Sequence, residues 1–341
     1  MERPPFDEQQ ELCRTLTIRQ EDGNPAIQRT SSSIQAGPVN LEPITKKYLP
    51  GVPHIQLGDP DICNYLKSEL VTNDLDRLSP RLCLVAKQDS SHISSLTEQT
   101  VRGRNIVVTE NPGLHLVWYY DRIFIKPLPK YLLSHAFWEY YLISTSSPIP
   151  EDLRHGLKKA ALGFLRSYSR LIRHKSDFLL AQDGSHRLLP HKIKYANFVR
   201  LIEPFETMHD GAVSPRYHFG ELRLSRLNFW SKVFLSRLVY HKVDGQYGAY
   251  FAGFFAPILF VFGVFSVLLG AMQVVLAVQS LVESDASWEV FARVSRGFSV
   301  FTVFFTACTI LFLLGLLATM WLRELVFALK DLYGLGHKTA D

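Results

Sequence analysis

The chain has 341 residues, a hydrophobic share of 47% and a formal net charge of +5, enough for one or two domains with a real core. Its N-terminus, MERPPFDEQQELCRT, carries acids and no apolar core, which speaks against a secretory signal peptide. Cys13, Cys63, Cys83 and Cys308 lie far apart, which excludes a disulfide scaffold and paired Cys motifs and suits a reducing compartment.

Residues 1–45 are rich in Gln, Ser, Thr, Pro and Gly and are predicted to be disordered. Within them Arg29-Thr30-Ser31-Ser32-Ser33 reads as solvated linker, with a phosphorylation site as the alternative. Residues 46–220 are expected to form a cytosolic mixed α/β domain, so the fold class is α+β. Asp59-Pro60 is a helix opening, and Ile62, Leu66 and Leu70 extend it to about Val71. Four β-prone segments follow: Leu82–Ala86, Ile106–Thr109, Leu114–Tyr120 and Arg122–Ile125, with a turn at Asn111-Pro112-Gly113. Tyr131 to Ile143 reads as a helix.

The clearest soluble helix is predicted from Glu151 to about Lys175, where Leu153, Leu157, Ala161, Phe164, Tyr168 and Ile172 recur every three to four residues. Its Lys and Arg residues outnumber its acids and predict a positive, solvated outer face, with anionic lipid contact as a further reading. A nucleic-acid partner is not expected, because no aromatic or Gly-rich binding signature accompanies the charge. A helix from about His191 to Glu203 should stop at Pro204. Residues 221–244 read as a basic amphipathic juxtamembrane helix. Arg223, Arg226, Trp230, Lys232 and Arg237 are its candidate contacts to lipid headgroups, with ordinary packing on the domain as the equal alternative.

From Gly245 to Val282 there is no Asp, Glu, Lys, Arg or His, and from Gly297 to Leu322 there is none again. A span needs about 20 apolar residues, so both runs can cross a bilayer. The expectation is an integral membrane protein ending in a two-helix transmembrane hairpin. Residues 245–282 and 297–322 are its spans, 283–296 a short extracytosolic loop and 323–341 a cytosolic tail. Lys and Arg cluster before the first span and after the second, while the loop offsets Arg293 and Arg296 with Glu283, Asp285 and Glu289; both termini are therefore placed in the cytosol.

Ala249, Ala256, Gly263, Gly270 and Ala277 recur every seven residues and predict a small-residue packing seam along the first span. Ser299, Thr302, Thr306 and Thr309 form a hydroxyl stripe on the second. Either the stripe faces another helix or each hydroxyl bonds back to its own. A homo-oligomer through these helices is one expected partner, and the lipid bilayer is the other. Neither span holds an ionisable residue, which disfavours an ion-coupled carrier.

No phosphate-binding glycine loop, zinc motif or nucleophile elbow is present, and no cofactor or metal site is expected. His115, His135, His155, His186 and His191 are scattered, and lone histidines of this kind are usually structural.

Several stretches together carry a resemblance: RGRNIVVTENPGLHLVWYYDRIFIKPLPKYLLSHAFW at 102–138, ALGFLRSYSRLIRHKSDF at 161–178, PRYHFGELRLSRLN at 215–228 and AMQVVLA at the end of the first span. From about Leu41 to Leu322 the chain resembles a family of uncharacterised fungal membrane proteins. The resemblance implies a cytosolic-type N-terminal region and two C-terminal spans, and no catalytic residue. The leading functional expectation is a non-enzymatic, membrane-anchored interaction or scaffold module. One alternative is an oligomeric two-span cation channel of the CorA type, although Gly270-Ala271-Met272-Gln273 lacks that family's Gly-Met-Asn signature. A membrane-tethered hydrolase using the scattered histidines is the third.

Overall fold

A computed structural model describes residues 3–21, 24–29, 48–87, 89–190, 193–235, 240–241, 247–279 and 286–338. The chain divides into two units, Met1–Lys242 and Val243–Asp341.

In the first unit a hairpin of β1 (Leu16–Glu21) and β2 (Asn24–Arg29) precedes two helices, α1 (Ile62–Leu70) and α2 (Asn73–Leu78). A third helix, α3 (Leu96–Val101), leads into a small sheet of β3 (Asn105–Val108), β4 (Val117–Tyr119), β5 (Arg122–Ile125) and β6 (Leu222–Arg223). The sheet order is β3-β5-β4-β6. Its β3–β5 and β4–β6 pairs are parallel and its β4–β5 pair antiparallel, with Val117 opposite Phe124 and Leu222.

Helix α4 (Glu151–Leu171) is the centre of this unit. Every residue from Ala160 to Ser169 is buried, and the N-terminal turns and Arg170 reach solvent. Gly163 sits mid-helix because the Tyr217 ring lies against it: a Cβ there would come within 2.3 Å of that ring. The expected solvated basic face holds for Arg173 and Lys175, which are exposed, while Arg154, Lys158, Lys159 and Arg170 are half-buried and Arg166 is buried. The arginines of this segment also clamp carbonyl oxygens of neighbouring segments. Arg154 donates to Ser144 O, Arg166 to Met208 O (2.9 Å) and Tyr217 O (2.6 Å), Arg170 to Glu206 O, and Arg173 to Ile93 O. A guanidinium offers five donors in a planar fork, so Arg166 can hold two carbonyls and still pair with the Asp210 carboxylate at 2.8 Å.

The helix also ends earlier than its periodicity suggested, at Leu171, because the buried Asp177 draws the chain into a new cap. Its carboxylate accepts from the backbone N–H groups of Arg173 and His174 and from Thr97, opening α5 (Lys175–Gln182). Helix α6 (Tyr195–Glu206) runs through Pro204 rather than stopping before it. Proline removes the N–H that would have bonded the Arg200 carbonyl, and the Gln10 side-chain amide donates to that oxygen at 3.3 Å.

That bond belongs to a wider docking of the N-terminal segment, and the expected disorder of residues 1–45 does not hold for residues 3–21 and 24–29. Phe6, 3% exposed, meets Trp138 and His135 edge-on. Leu12 and Cys13 both donate their N–H groups to Leu133 O, and Glu11 accepts from His135 N. A few well-spaced apolar anchors (Phe6, Leu16, Ile27) suffice to tie down a polar segment. Residues 30–45 lie outside the described residues.

Two further expectations change. Leu82–Ala86 is not a strand: a 3-10 turn, Ser79–Leu84, continues the phase of α2, since Leu75, Leu78 and Leu82 are all buried at three- and four-residue steps. The helix expected from Tyr131 to Ile143 is not one regular helix but a 3-10 turn, Lys130–Leu133, a single α turn and a π turn, Trp138–Ile143, whose extra width accommodates Trp138, Tyr141 and Leu142 inside. The strands expected at 106–109 and 122–125 form nearly as read, and that at 114–120 shortens to β4. After β6 comes α7 (Leu224–Phe234).

The second unit holds α8 (Tyr247–Gln279) and α9 (Ala286–Lys338). Helix α9 starts at Ala286 rather than Gly297 and continues through the segment read as a tail, with an early Glu289–Arg293 pair on one face. Phe265 of α8 packs edge-on against Phe298 and Phe305 of α9. Two windows, Ile258–Val278 and Glu289–Phe312, are long and apolar enough to cross a membrane, with 0% and 11% of their residues buried within the chain.

Candidate functional site

The first unit contains one arrangement that sequence spacing did not reveal, a histidine–serine pair. His115, just ahead of β4, and Ser167, inside α4, meet at 2.7 Å between Nε2 and Oγ. The tautomer follows from the other contacts. The Lys126 backbone N–H donates to His115 Nδ1 (3.2 Å), so the ring proton sits on Nε2 and is donated to Ser167 Oγ, which in turn donates to Phe164 O (2.6 Å). A base needs a free lone pair towards the nucleophile, and this imidazole has none. Burial, with the nearby Arg216 and Lys126 charges, pushes its pKa well below the ordinary histidine value. The pair is a polar lock between β4, β5 and α4.

Beside that lock lies a buried cation. Lys126 is 1% exposed; its Nζ donates to Glu69 (2.6 Å) and to the Glu110 carbonyl oxygen (2.5 Å), and lies 3.3 Å from the Glu110 carboxylate. The Tyr168 hydroxyl donates to the Lys126 carbonyl (2.6 Å). Glu69 and Glu110 then open onto a cleft of about 820 Å³, within the usual range for small-molecule sites. Its floor carries Tyr65 and Tyr131. Its rim carries Arg14, Lys130, Arg187 and His54, and Pro50, Pro127, Pro129 and Pro190 give it flat apolar walls.

Tyr131 is 1% exposed and its hydroxyl has no hydrogen-bond partner among the described residues, with the Tyr65 side chain as its polar neighbour. Burial first, then the charges of Glu69 and Glu110, hold both phenols far up and neutral. A neutral phenol can donate a hydrogen bond and is a poor nucleophile. Arg14, Lys130 and Arg187 have no carboxylate partner among the described residues. Arg187 adopts φ of 47°, a region costly for a residue with a Cβ.

The residues singled out from the sequence lie elsewhere. In α7, Leu224, Leu227 and Ser231 face inward, while Arg223, Arg226, Phe229, Lys232 and Val233 are exposed. The Arg223 guanidinium lies 5.2 Å from the Trp118 ring centre; Trp230 is half-buried and stacks on Phe234, which Arg81 covers at 4.2 Å. Arg237 falls outside the described residues. Of the seam, Ala249 and Ala256 lie in α8; a Cβ added at Gly263 or Gly270 would meet nothing within 4 Å, and Ala277 is exposed. In the stripe, Thr302 is buried, Ser299 and Thr309 half-buried and Thr306 exposed. Each of the four hydroxyls donates to the carbonyl four residues earlier, at 2.8–2.9 Å.

Residues 62–306, from the start of α1 into the second apolar window, match the family of unknown function DUF6601. The chain belongs to this family. The DUF6601 match takes in Tyr65, Glu69, Glu110, Lys126, Tyr131, the first apolar window and the second as far as residue 306, while Arg14, Pro50 and His54 of the cleft precede it. No curated protein and no solved structure matches the chain.

Proposed function

We propose that this DUF6601 protein is a non-enzymatic interaction module anchored in a membrane by a hairpin of α8 and α9. The supporting observation is that the two apolar windows leave 0% and 11% of their residues buried within the chain. Apolar surface on that scale needs lipid or protein to cover it. Both termini lie in the cytosol, as the Lys and Arg bias around the spans favours. The exposed face of α7 contributes a second membrane contact. Phe229 is 60% exposed and Val233 58%, beside Arg226 and Lys232, a pairing of apolar and cationic groups that suits an anionic headgroup layer. Arg223 and Trp230 supply the edges of this face. Gly263 and Gly270 leave room for a second copy to approach α8 closely.

Two measurements test the reading. The protein should resist alkaline carbonate extraction and come into solution with detergent, and a glycosylation acceptor introduced within 283–296 should be modified. Release by carbonate alone refutes the anchor, and modification of an N-terminal acceptor refutes the orientation. Gly263→Leu with Gly270→Leu should reduce the size of the detergent-solubilised particle; unchanged size removes the homo-oligomer through this seam.

The hydrolase alternative loses its best-placed pair, because His115 and Ser167 are held in a bonding pattern that runs the wrong way for base catalysis.

A further inference from the structure

We propose that the cleft between Tyr65, Tyr131 and the Arg14–Lys130–Arg187 rim binds a small phosphorylated sugar or polyol, free or as a lipid headgroup. The argument begins with charge. Lys126 already engages Glu69 and Glu110, so the acids of the cleft are used. Arg14, Lys130 and Arg187 come from three separate segments onto the same cavity with no carboxylate partner among the described residues. A phosphate monoester brings close to two negative charges and three terminal oxygens, and so can engage three separate cationic donors where a carboxylate offers two oxygens.

The floor supplies the second half. Tyr131 is buried in a wall of the cavity with a hydroxyl that nothing described satisfies. A buried polar group is ordinarily bonded, and one that is not marks a place a ligand can complete. With the phenol neutral, it both donates and accepts, the pattern that a sugar hydroxyl matches. The proline faces and the Tyr65 ring give the C–H face of such a ring something flat to lie on. Arg187 adds weight: a non-glycine residue held at φ of 47° is kept there at some cost, with its guanidinium on the rim. The site is independent of the anchoring reading, since every lining residue lies within Met1–Lys242.

The test uses the full chain in an uncharged detergent, with myo-inositol trisphosphate as the soluble probe in calorimetry. Phosphatidylcholine nanodiscs with and without a phosphatidylinositol phosphate form the lipid arm. Tight binding of the soluble probe assigns a free phosphate ester, and binding seen only with the phosphoinositide discs assigns a headgroup. Either supports the site, provided that Arg14→Ala with Arg187→Gly lowers affinity by about tenfold or more, the scale of losing charge-assisted bonds. Tyr131→Phe should lower affinity by roughly fivefold while leaving the melting temperature of the ligand-free protein unchanged or higher, because it deletes a hydroxyl that has no partner to lose. Tyr168→Phe, whose hydroxyl is bonded, should lower that temperature and so serves as the contrast. Binding of neither probe overturns the proposal, as does binding that survives the Arg14 and Arg187 changes. Tyr131→Phe melting as low as Tyr168→Phe overturns the reading of the floor.

Discussion

Glu221 joins α3 and the loop before it to the strand that leads into α7, and removing its carboxylate should unfasten that junction. Its side chain is 4% exposed and accepts from Ser94 N (2.9 Å), Gln99 Nε2 (2.6 Å) and Arg104 Nη1 (2.6 Å). Burial works to raise its pKa, but the Ser94, Arg104 and Gln99 bonds together with the Arg104 charge outweigh burial and leave it lowered. Glu221→Ala strands three donors, one of them a charge on a side chain only 13% exposed. Breaking a buried pair on one side costs about 3–5 kcal/mol. For a domain of this size about 2–4 °C is lost per kcal/mol, so the melting temperature should fall by roughly 6–20 °C. Arg104 also lies over the Trp118 ring at 4.5 Å, so Trp fluorescence during thermal unfolding reports the change directly. Arg104→Met with Glu221→Met should cost less than Glu221→Ala alone, because no charge is left buried and unpaired. A folded pKa below the unfolded one means that this stabilisation is present above about pH 4.5 and drains away as pH falls through the lowered folded value. A drop of less than about 2 °C for Glu221→Ala, below the range set by that slope, refutes the reasoning by showing that the carboxylate is solvated.

Other expectations follow from the same contacts. Gly163→Ala should cost about 1–3 kcal/mol by overpacking against Tyr217, and Tyr217→Ala in the same chain should recover part of it in a double-mutant cycle read by urea unfolding. His115 stays neutral when folded, so its contribution is complete above about pH 6.5 and is lost below it, at up to about 1.4 kcal/mol per pH unit. Denaturation curves from pH 7 to pH 5 should show a shallower slope in His115→Gln, and equal slopes would mean that His115 is protonated in the folded protein. Thr302→Val removes a bond within one helix and should change the stability of the detergent-solubilised protein by less than about 1 kcal/mol; a larger loss would assign the hydroxyl to another chain.

The elements that could be read from the sequence were those whose signal is local. Ile62, Leu66 and Leu70 fix α1, which opens two residues past the Asp59-Pro60 signal, and the uncharged runs fix α8 and about half of α9. Three of the failures share one cause: a distant residue satisfied a group that local rules counted as a stop or a charge. Pro204 halts an isolated helix, but Gln10 supplies a donor for the orphaned carbonyl from the other end of the domain. Arg166 of α4 reads as a solvated charge, yet it reaches the Met208 and Tyr217 carbonyls from a buried position. The α4 boundary moved because Asp177, four residues beyond Arg173, captured that residue's N–H.

The cleft was hidden for the same reason in a stronger form. Its cations sit at 14, 130 and 187 and its tyrosines at 65 and 131, positions with no common spacing that no periodicity can gather. What brings Arg14 to the others is the docking of Leu12 and Cys13 on the carbonyl of Leu133, the last residue of the turn that presents Lys130 and Tyr131. The two bonds make the N-terminal segment a wall of the cavity, not an appendage to it. Because the family match starts at Ile62, that wall lies outside the DUF6601 region while the polar floor lies inside it. A chain lacking the first docking segment would therefore keep Tyr131, Glu69 and the Lys126 triad but lose one of the three cations that have no carboxylate partner among the described residues. Phosphate affinity would weaken and the floor's own hydrogen bonds would stand, which separates the part of the site that recognises charge from the part that recognises shape.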